Sequence, residues 1–162
     1  MTIESNRRVL VTKMTVEDVR EIFSMRSVLE GLAARMAASN WTQLDLQTLS
    51  SLAERMERAE EHPGEWLQIH EEFHRHIWVR ARMPRLQLEI QRQTAAVAPY
   101  LRVFLLKHGM GELKGSKHRA LVEALRAGKP GAAERAVREH IEHALEEICE
   151  LIAAKSPPNK TD

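Results

Sequence analysis

Apolar residues recur along this chain at helical spacing, in segments separated by glycine and proline. The separating stretches are short and lie at four places, residues 62–64, 83–84, 108–111 and 128–131. Between them, apolar side chains return every three or four positions, which is the period of a helix that buries one face. The pattern predicts six helices, over about residues 15–39, 42–61, 64–82, 84–107, 112–128 and 130–155. Since short connections join them, we expect an all-α antiparallel bundle.

Local sequence signals agree with these boundaries. Thr15 and Thr42 are each followed three positions later by an aspartate, which is the spacing of a capping box at a helix start. Pro84 and Pro130 suit the first turn of a helix, and Gly128 suits the position after a helix end. The caps therefore predict helix starts and ends at the same breaks that the apolar period indicates.

The composition is that of a single soluble domain with almost no net charge. Of the 162 residues, 43% are hydrophobic, and the net charge is +1, so no overall charge favours nucleic acid or a membrane surface. No apolar run approaches the roughly 18 residues of a membrane span, and residues 1–13 lack the apolar core of a signal peptide. The single cysteine, Cys149, excludes an internal disulfide framework and suits a reducing compartment. We expect a cytoplasmic protein.

Four of the eight histidines lie on the apolar faces of three predicted helices. His70 and His74 share the apolar stripe of the third helix, whereas His118 lies on the fifth and His140 on the sixth. A buried imidazole without a partner costs on the order of 1 to 3 kcal/mol, and one metal ion bound by all four would remove that cost. The other histidines fall in turns or off these stripes, and we interpret them as surface groups: His62, His76, His108 and His143.

Residues 70–74 also match His-Glu-x-x-His, the pattern in which two histidines bind zinc and a glutamate acts as general base in metalloproteases. A zinc hydrolase with Glu71 as that base is therefore an alternative function. Against it, no Gly-x-x-His follows His74 at metzincin spacing, and no sheet is predicted beside the helix. A third hypothesis is a metal-free helical dimerisation domain whose histidines are structural.

Three segments resemble the FadR C-terminal domain (FCD), the effector-binding module of GntR-type bacterial transcription regulators. "VEDVREIFSMRSVLEGLAARMAA" resembles its opening helix, "FHRHIWVRARMPRL" its Phe-His-x-x-Ile segment with the following helix break, and "KHRALVEALRAGKPGAAERAVREHI" its closing segment. The resemblance covers about residues 14–152. Two departures lie at helix breaks, where Met83 replaces the usual asparagine before proline and Lys129 replaces the aspartate of a glycine turn.

The resemblance implies a metal site and an anionic effector, both in a cavity inside the bundle. In the metal-binding branch of the family, one aspartate and three histidines surround one metal. By position these ligands fall on His70, His74, His118 and His140, with histidine in place of the aspartate at the first of them. Imidazoles suit a divalent transition metal, and we expect zinc first, with nickel or iron as alternatives. Effectors in the family are commonly small carboxylates, for which Arg26 and Arg102 are the candidate partners.

The same resemblance divides the chain into three parts. Residues 1–13 resemble the last strand of a DNA-binding wing and its linker, residues 14–155 the effector-binding domain, and residues 156–162 are predicted to be a disordered tail. Regulators of this class carry a winged helix-turn-helix before the domain, so we expect DNA contact only through such a head and not through this chain alone. The implied function is effector sensing and dimerisation, with a small organic acid and a second copy of the chain as partners.

Overall fold

The described part of the chain is helical. The computed structural model describes residues 14–109 and 117–155, and the absence of strands within these ranges confirms the all-α class. The α-helices are α1 (Val16–Ala37), α2 (Gln43–Arg58), α3 (Pro63–Val79), α4 (Pro84–His108), α5 (Lys117–Arg126) and α6 (Pro130–Lys155). The predicted N-terminal arm, the predicted tail and the predicted first turn of the fifth helix lie outside the described residues. None of the described helices combines the length and apolar character needed to cross a membrane.

The predicted caps begin and end these helices. Thr15 accepts a hydrogen bond at Oγ1 from the backbone N–H of Asp18 (3.1 Å), and Asp18 accepts one from the backbone N–H of Thr15 (2.8 Å). Thr42 and Asp45 make the same reciprocal pair at the start of α2. Helices α3, α4 and α6 begin at prolines. Gly128 follows α5 with a φ of +64°, a left-handed conformation that glycine adopts without strain.

Four helices end two or three residues earlier than the apolar pattern predicts: α1, α2, α3, which ends at Val79, and α5, which ends at Arg126. Helix α1 ends at Ala37 and is followed by a short 3-10 helix at Ala38–Asn40, a common way for an α-helix to tighten at its end. Helix α2 ends at Arg58, because the N–H of His62 donates to the carbonyl oxygen of Ala59 (2.8 Å) in a turn that leads into α3. None of these changes moves a candidate site residue out of its predicted helix.

Helix α1 is the central element of the bundle and packs against α3, α4 and α6. It approaches α6 so closely that a Cβ atom on Gly31 would lie 2.5 Å from Cγ of Arg138. Helix α2 packs against α3 and α5, and α5 packs against α6. Phe73 is fully buried in the core between these helices. The packing therefore brings α1, α3, α5 and α6 around one interior volume.

A buried aspartate joins α2 to α3. The side chain of Asp45 is fully buried and pairs with Arg80 and with Nε2 of His76, the latter at 3.2 Å. His76 is therefore 24% exposed and bonded, rather than the plain surface group that its place in the sequence suggested. Because α3 also carries His70 and His74, this contact helps to set where those two imidazoles lie.

Candidate metal centre

The structure brings His70, His74, His118 and His140 together in one cluster. They come from α3, α5 and α6, and one ligand nitrogen from each lies within 4.8 Å of the others. The ring centres of His118 and His140 are 4.6 Å apart, and those of His70 and His74 are 4.5 Å apart. Four residues that are up to 70 positions apart in the sequence thus face a single point.

Two ring nitrogens of the cluster are buried without a hydrogen-bond partner. Within the described residues, Nε2 of His74 and Nε2 of His118 have no partner, and each residue is 5% exposed. An unsatisfied buried acceptor costs about 1 to 3 kcal/mol. A metal ion at the centre would accept both lone pairs, so the residues present fit a bound metal.

The cluster keeps His70, His118 and His140 neutral. Burial and the neighbouring imidazoles hold the pKa values of His70 and His118 well below the usual 6.5. Burial, followed by the proximity of His74, lowers the pKa of His140 to about 3. Neutral imidazole is the form that binds metals, because its second nitrogen carries a free lone pair. At neutral pH these three side chains are therefore in the metal-binding form.

Glu30 supports the cluster from α1, and the sequence interpretation missed it. Its side chain is 2% exposed, and its Oε2 lies 3.2 Å from Nδ1 of His74. Burial by itself raises the pKa of this carboxyl, but the charge of Arg26 and the hydrogen bond with His74 outweigh burial and lower the pKa to about 2. An ionised carboxylate can only accept, so Nδ1 of His74 carries the proton and Nε2 presents its lone pair to the cluster.

The two arginines predicted to bind an effector have different surroundings. Arg26 is 6% exposed, and its Nε donates to Oε1 of Glu30 at 2.9 Å. Arg102 is exposed on α4. Both line the same cavity as His70 and His140, so one buried and one exposed guanidinium contribute to the walls of that cavity.

The cavity itself has a volume of about 390 Å³ and is lined by residues of α1, α3, α4 and α6. Its walls are mainly apolar and include Phe23, Trp66, Trp78, Val97, Leu101 and Ile141. Polar side chains that line it include Gln68, Glu71, Arg75, Gln91, Thr94 and Arg102. Trp66 stacks on His70 with ring centres 4.6 Å apart. A pocket of this size, apolar with few polar groups, is typical of a small-molecule site.

The other residues singled out in the sequence lie away from the centre of the cluster. Glu71 is exposed and reaches only the cavity lining. His143 is 54% exposed and lies near Glu146 and Glu147, while His108 packs against the ring of Phe104 at the end of α4. No grouping of metal-binding side chains other than the four-histidine cluster occurs in the described residues.

The chain was compared with protein families and with known proteins. The family model of the FCD domain matches residues 21–143, a range that contains the four histidines, both candidate arginines and Glu30. A comparison with curated protein sequences gives no match.

Among solved structures, E. coli McbR/YncC is similar to this chain, with a TM-score of 0.76 and 24% sequence identity. The similarity covers 88% of this chain and 71% of that one. At this identity the likeness concerns the fold alone. The family match extends over most of the sequence and agrees with the three segments that resemble the FadR C-terminal domain. The chain therefore belongs to the FCD family.

Proposed function

We propose that this chain is the effector-sensing and dimerising domain of a GntR-type transcription regulator in the cytoplasm, and that it binds a divalent transition metal and a carboxylate. Membership of the FCD family supports a regulatory, effector-binding role over an enzymatic one. In this proposal DNA is contacted by a winged helix-turn-helix, and the domain sets how two such heads are spaced.

One observation carries the metal part of the proposal. Nε2 of His74 and Nε2 of His118 are buried without partners inside a cluster of four imidazoles. The ligands would be His70, His74, His118 and His140, and zinc is the first candidate for an all-imidazole site, ahead of nickel and iron. With histidine at position 70, all four ligands are neutral. A bound divalent ion would then keep its full charge and supply a position that attracts an anion.

The cavity beside the cluster supports the carboxylate part. Arg26 is buried and lines it, and Arg102 lines it from the exposed side of α4. A guanidinium pairs with a carboxylate through two parallel hydrogen bonds, which gives direction as well as affinity. We place the carboxylate of the effector between the metal and Arg26, and its remaining atoms against the apolar walls.

Zinc titration of chelator-treated protein tests the site. We expect one ion per chain in the wild type. Loss of a residue that supports a metal ligand weakens metal binding by about 10- to 100-fold. His118→Ala and His140→Ala each remove a ligand itself, so each should weaken zinc binding by more than that. His143→Ala, on the exposed side of α6, is the matched control and should bind zinc as the wild type does. Wild-type affinity in both cluster variants would contradict the four-histidine site.

Thermal-shift measurements on the zinc-loaded protein test the effector. A carboxylate that binds only the folded state raises its apparent stability, and Arg26→Gln should remove most of that shift. If a panel of acids produces no shift in protein that has bound zinc, the carboxylate proposal is wrong.

The two alternative functions make different predictions. In a zinc hydrolase Glu71 would be the general base, so Glu71→Gln would abolish a hydrolytic activity of the zinc-loaded wild type. We expect no such activity, because Glu71 is exposed and the family points to regulation. A metal-free dimerisation domain would stay fully folded after chelation and take up no zinc.

A further inference from the structure

Arg26 uses only part of its hydrogen-bonding capacity inside the protein. Its Nε donates to Oε1 of Glu30, and its guanidinium carbon lies 4.9 Å from the ring centre of Phe23. Within residues 14–109 and 117–155, its two terminal nitrogens have no hydrogen-bond partner. The side chain is nevertheless 6% exposed and lines the cavity. A buried guanidinium with free N–H groups at a cavity wall is suited to bind an anion there.

Glu30 connects this guanidinium to the histidine cluster. Its Oε1 accepts from Arg26 and its Oε2 accepts from Nδ1 of His74, so each oxygen serves a different partner. The carboxylate is 2% exposed, so water competes little for its charge. Three buried side chains on α1 and α3 therefore form a continuous chain from the anion-binding wall to a nitrogen of the cluster.

We propose that Arg26 and Glu30 couple the two ligands of the domain, so that a carboxylate bound at Arg26 tightens metal binding at His74. The inference rests on the proposed function, since it needs both a metal and an anion. An anion bound at the terminal nitrogens of Arg26 neutralises part of the guanidinium charge. The attraction between Arg26 and Glu30 is then weaker. Glu30 then accepts more strongly from Nδ1 of His74, and the opposite nitrogen becomes a better donor to the metal.

This arrangement makes Glu30 a positioning residue that acts through His74. By reciprocity, metal binding strengthens anion binding by the same factor. The domain would therefore respond fully only when both ligands are present. A direct attraction between metal and anion also produces coupling, so the contribution of Glu30 must be measured as a difference between variants.

The experiment measures the zinc dissociation constant of the full chain by calorimetry, with and without saturating acetate, and takes the ratio as the coupling factor. In the wild type we expect acetate to tighten zinc binding by about fivefold or more, the lower end of known couplings. Glu30→Gln should weaken zinc binding by about 10- to 100-fold and also lower the coupling factor several-fold. A merely structural role would weaken zinc binding equally in both titrations and leave the ratio unchanged.

Two further variants complete the test. Arg26→Gln should lower the coupling factor as far as Glu30→Gln, and the double variant should lower it no further, because both belong to one chain of contacts. The double variant also replaces the buried ion pair with two neutral amides, which guards against misfolding of either single variant. Glu57→Gln, which breaks an exposed pair with Arg119, is the control and should retain wild-type values.

The results of these titrations distinguish failure of the coupling inference from failure of the proposed function. A wild-type coupling factor in Glu30→Gln, with zinc and acetate both bound, overturns this inference and leaves the proposed function intact. Additive losses in the double variant also overturn it. Failure of the wild type to bind zinc, or of zinc-loaded protein to bind acetate, contradicts the proposed function and the inference together.

Discussion

His70, His118 and His140 each lie beside other imidazoles, and their charge state follows from that setting. Protonation of one imidazole beside another positive charge is unfavourable, and burial adds the cost of removing the protonated ring from water. The pKa of His140 is lowered to about 3 for these reasons. His74 differs because Glu30 accepts from its Nδ1. The cluster thus combines neutral donors with one buried carboxylate behind them.

This setting predicts an acid-sensitive metal-free protein. Below pH 6.5 the unfolded chain protonates its histidines, whereas His70, His118 and His140 stay neutral in the folded state. The unfolded state then binds more protons, so the free energy of unfolding falls as the pH falls, by about 1.4 kcal/mol per pH unit for each such histidine. Glu30 acts in the same direction only between its usual pKa of 4.5 and about 2.

Denaturant unfolding in the presence of a chelator at pH 7.5, 6.5 and 5.5 measures this dependence. His118→Ala should show a shallower decrease, because it removes one of the groups that titrate only on unfolding. Equal stability at pH 7.5 and pH 5.5 in the wild type would mean that the folded state protonates these histidines freely.

The sequence alone identifies the four histidines but not Glu30, which bonds to His74. His70, His74, His118 and His140 each lie on the apolar face of a helix, and that periodicity can be seen in the sequence. Glu30 also lies on a buried face of α1, four residues after Arg26, which could have suggested a buried ion pair. Its contact with His74 joins residues 44 positions apart and depends on how α1 packs against α3. No local pattern contains that information.

At the scale of elements, two helices begin with the same capping box in different surroundings. Asp18 is exposed, and among the described residues it bonds only to Thr15. Asp45 makes the same cap and also pairs with Arg80 and His76 of α3. The sequence predicted both caps correctly, because a capping box is local. It could not predict that one of them also connects two helices.

We therefore expect Asp45→Ala to destabilise the protein by about 1 to 3 kcal/mol more than Asp18→Ala, since only the former leaves two side chains of α3 without a partner. Denaturant unfolding of the two variants side by side gives the difference. Because α3 carries two histidines of the cluster, Asp45→Ala should also weaken zinc binding. Equal losses of stability would show that the contact between α2 and α3 contributes nothing.

At the scale of the whole molecule, α1 has two contrasting faces. One carries Arg26 and Glu30 toward the cavity. The other carries a stripe of exposed apolar side chains at intervals of three and four residues, formed by Met25, Val28, Leu32 and Met36. An apolar helical stripe in solvent suits contact with a second copy of the chain. Ligand-dependent shifts of α1 would reach such an interface directly.

We predict that Val28→Glu weakens self-association by at least about tenfold, equivalent to about 1.4 kcal/mol of interface stability. The reason is that a carboxylate replaces an apolar group that is 53% exposed in the single chain. Sedimentation equilibrium measures the effect. Leu44→Glu, which places the same charge at a 69% exposed position on α2, is the matched control. Equal association of both variants would exclude the α1 stripe as the contact.

We propose above all that one metal ion is held by imidazoles from three helices. X-ray absorption at the zinc edge of protein loaded with one equivalent of zinc tests it most directly. We predict a first shell of imidazole nitrogens at about 2.0 to 2.1 Å, which is lost or altered in His118→Ala and unchanged in His143→Ala. A shell without imidazole, a sulfur ligand at about 2.3 Å from Cys149, or no bound zinc at all would contradict the account.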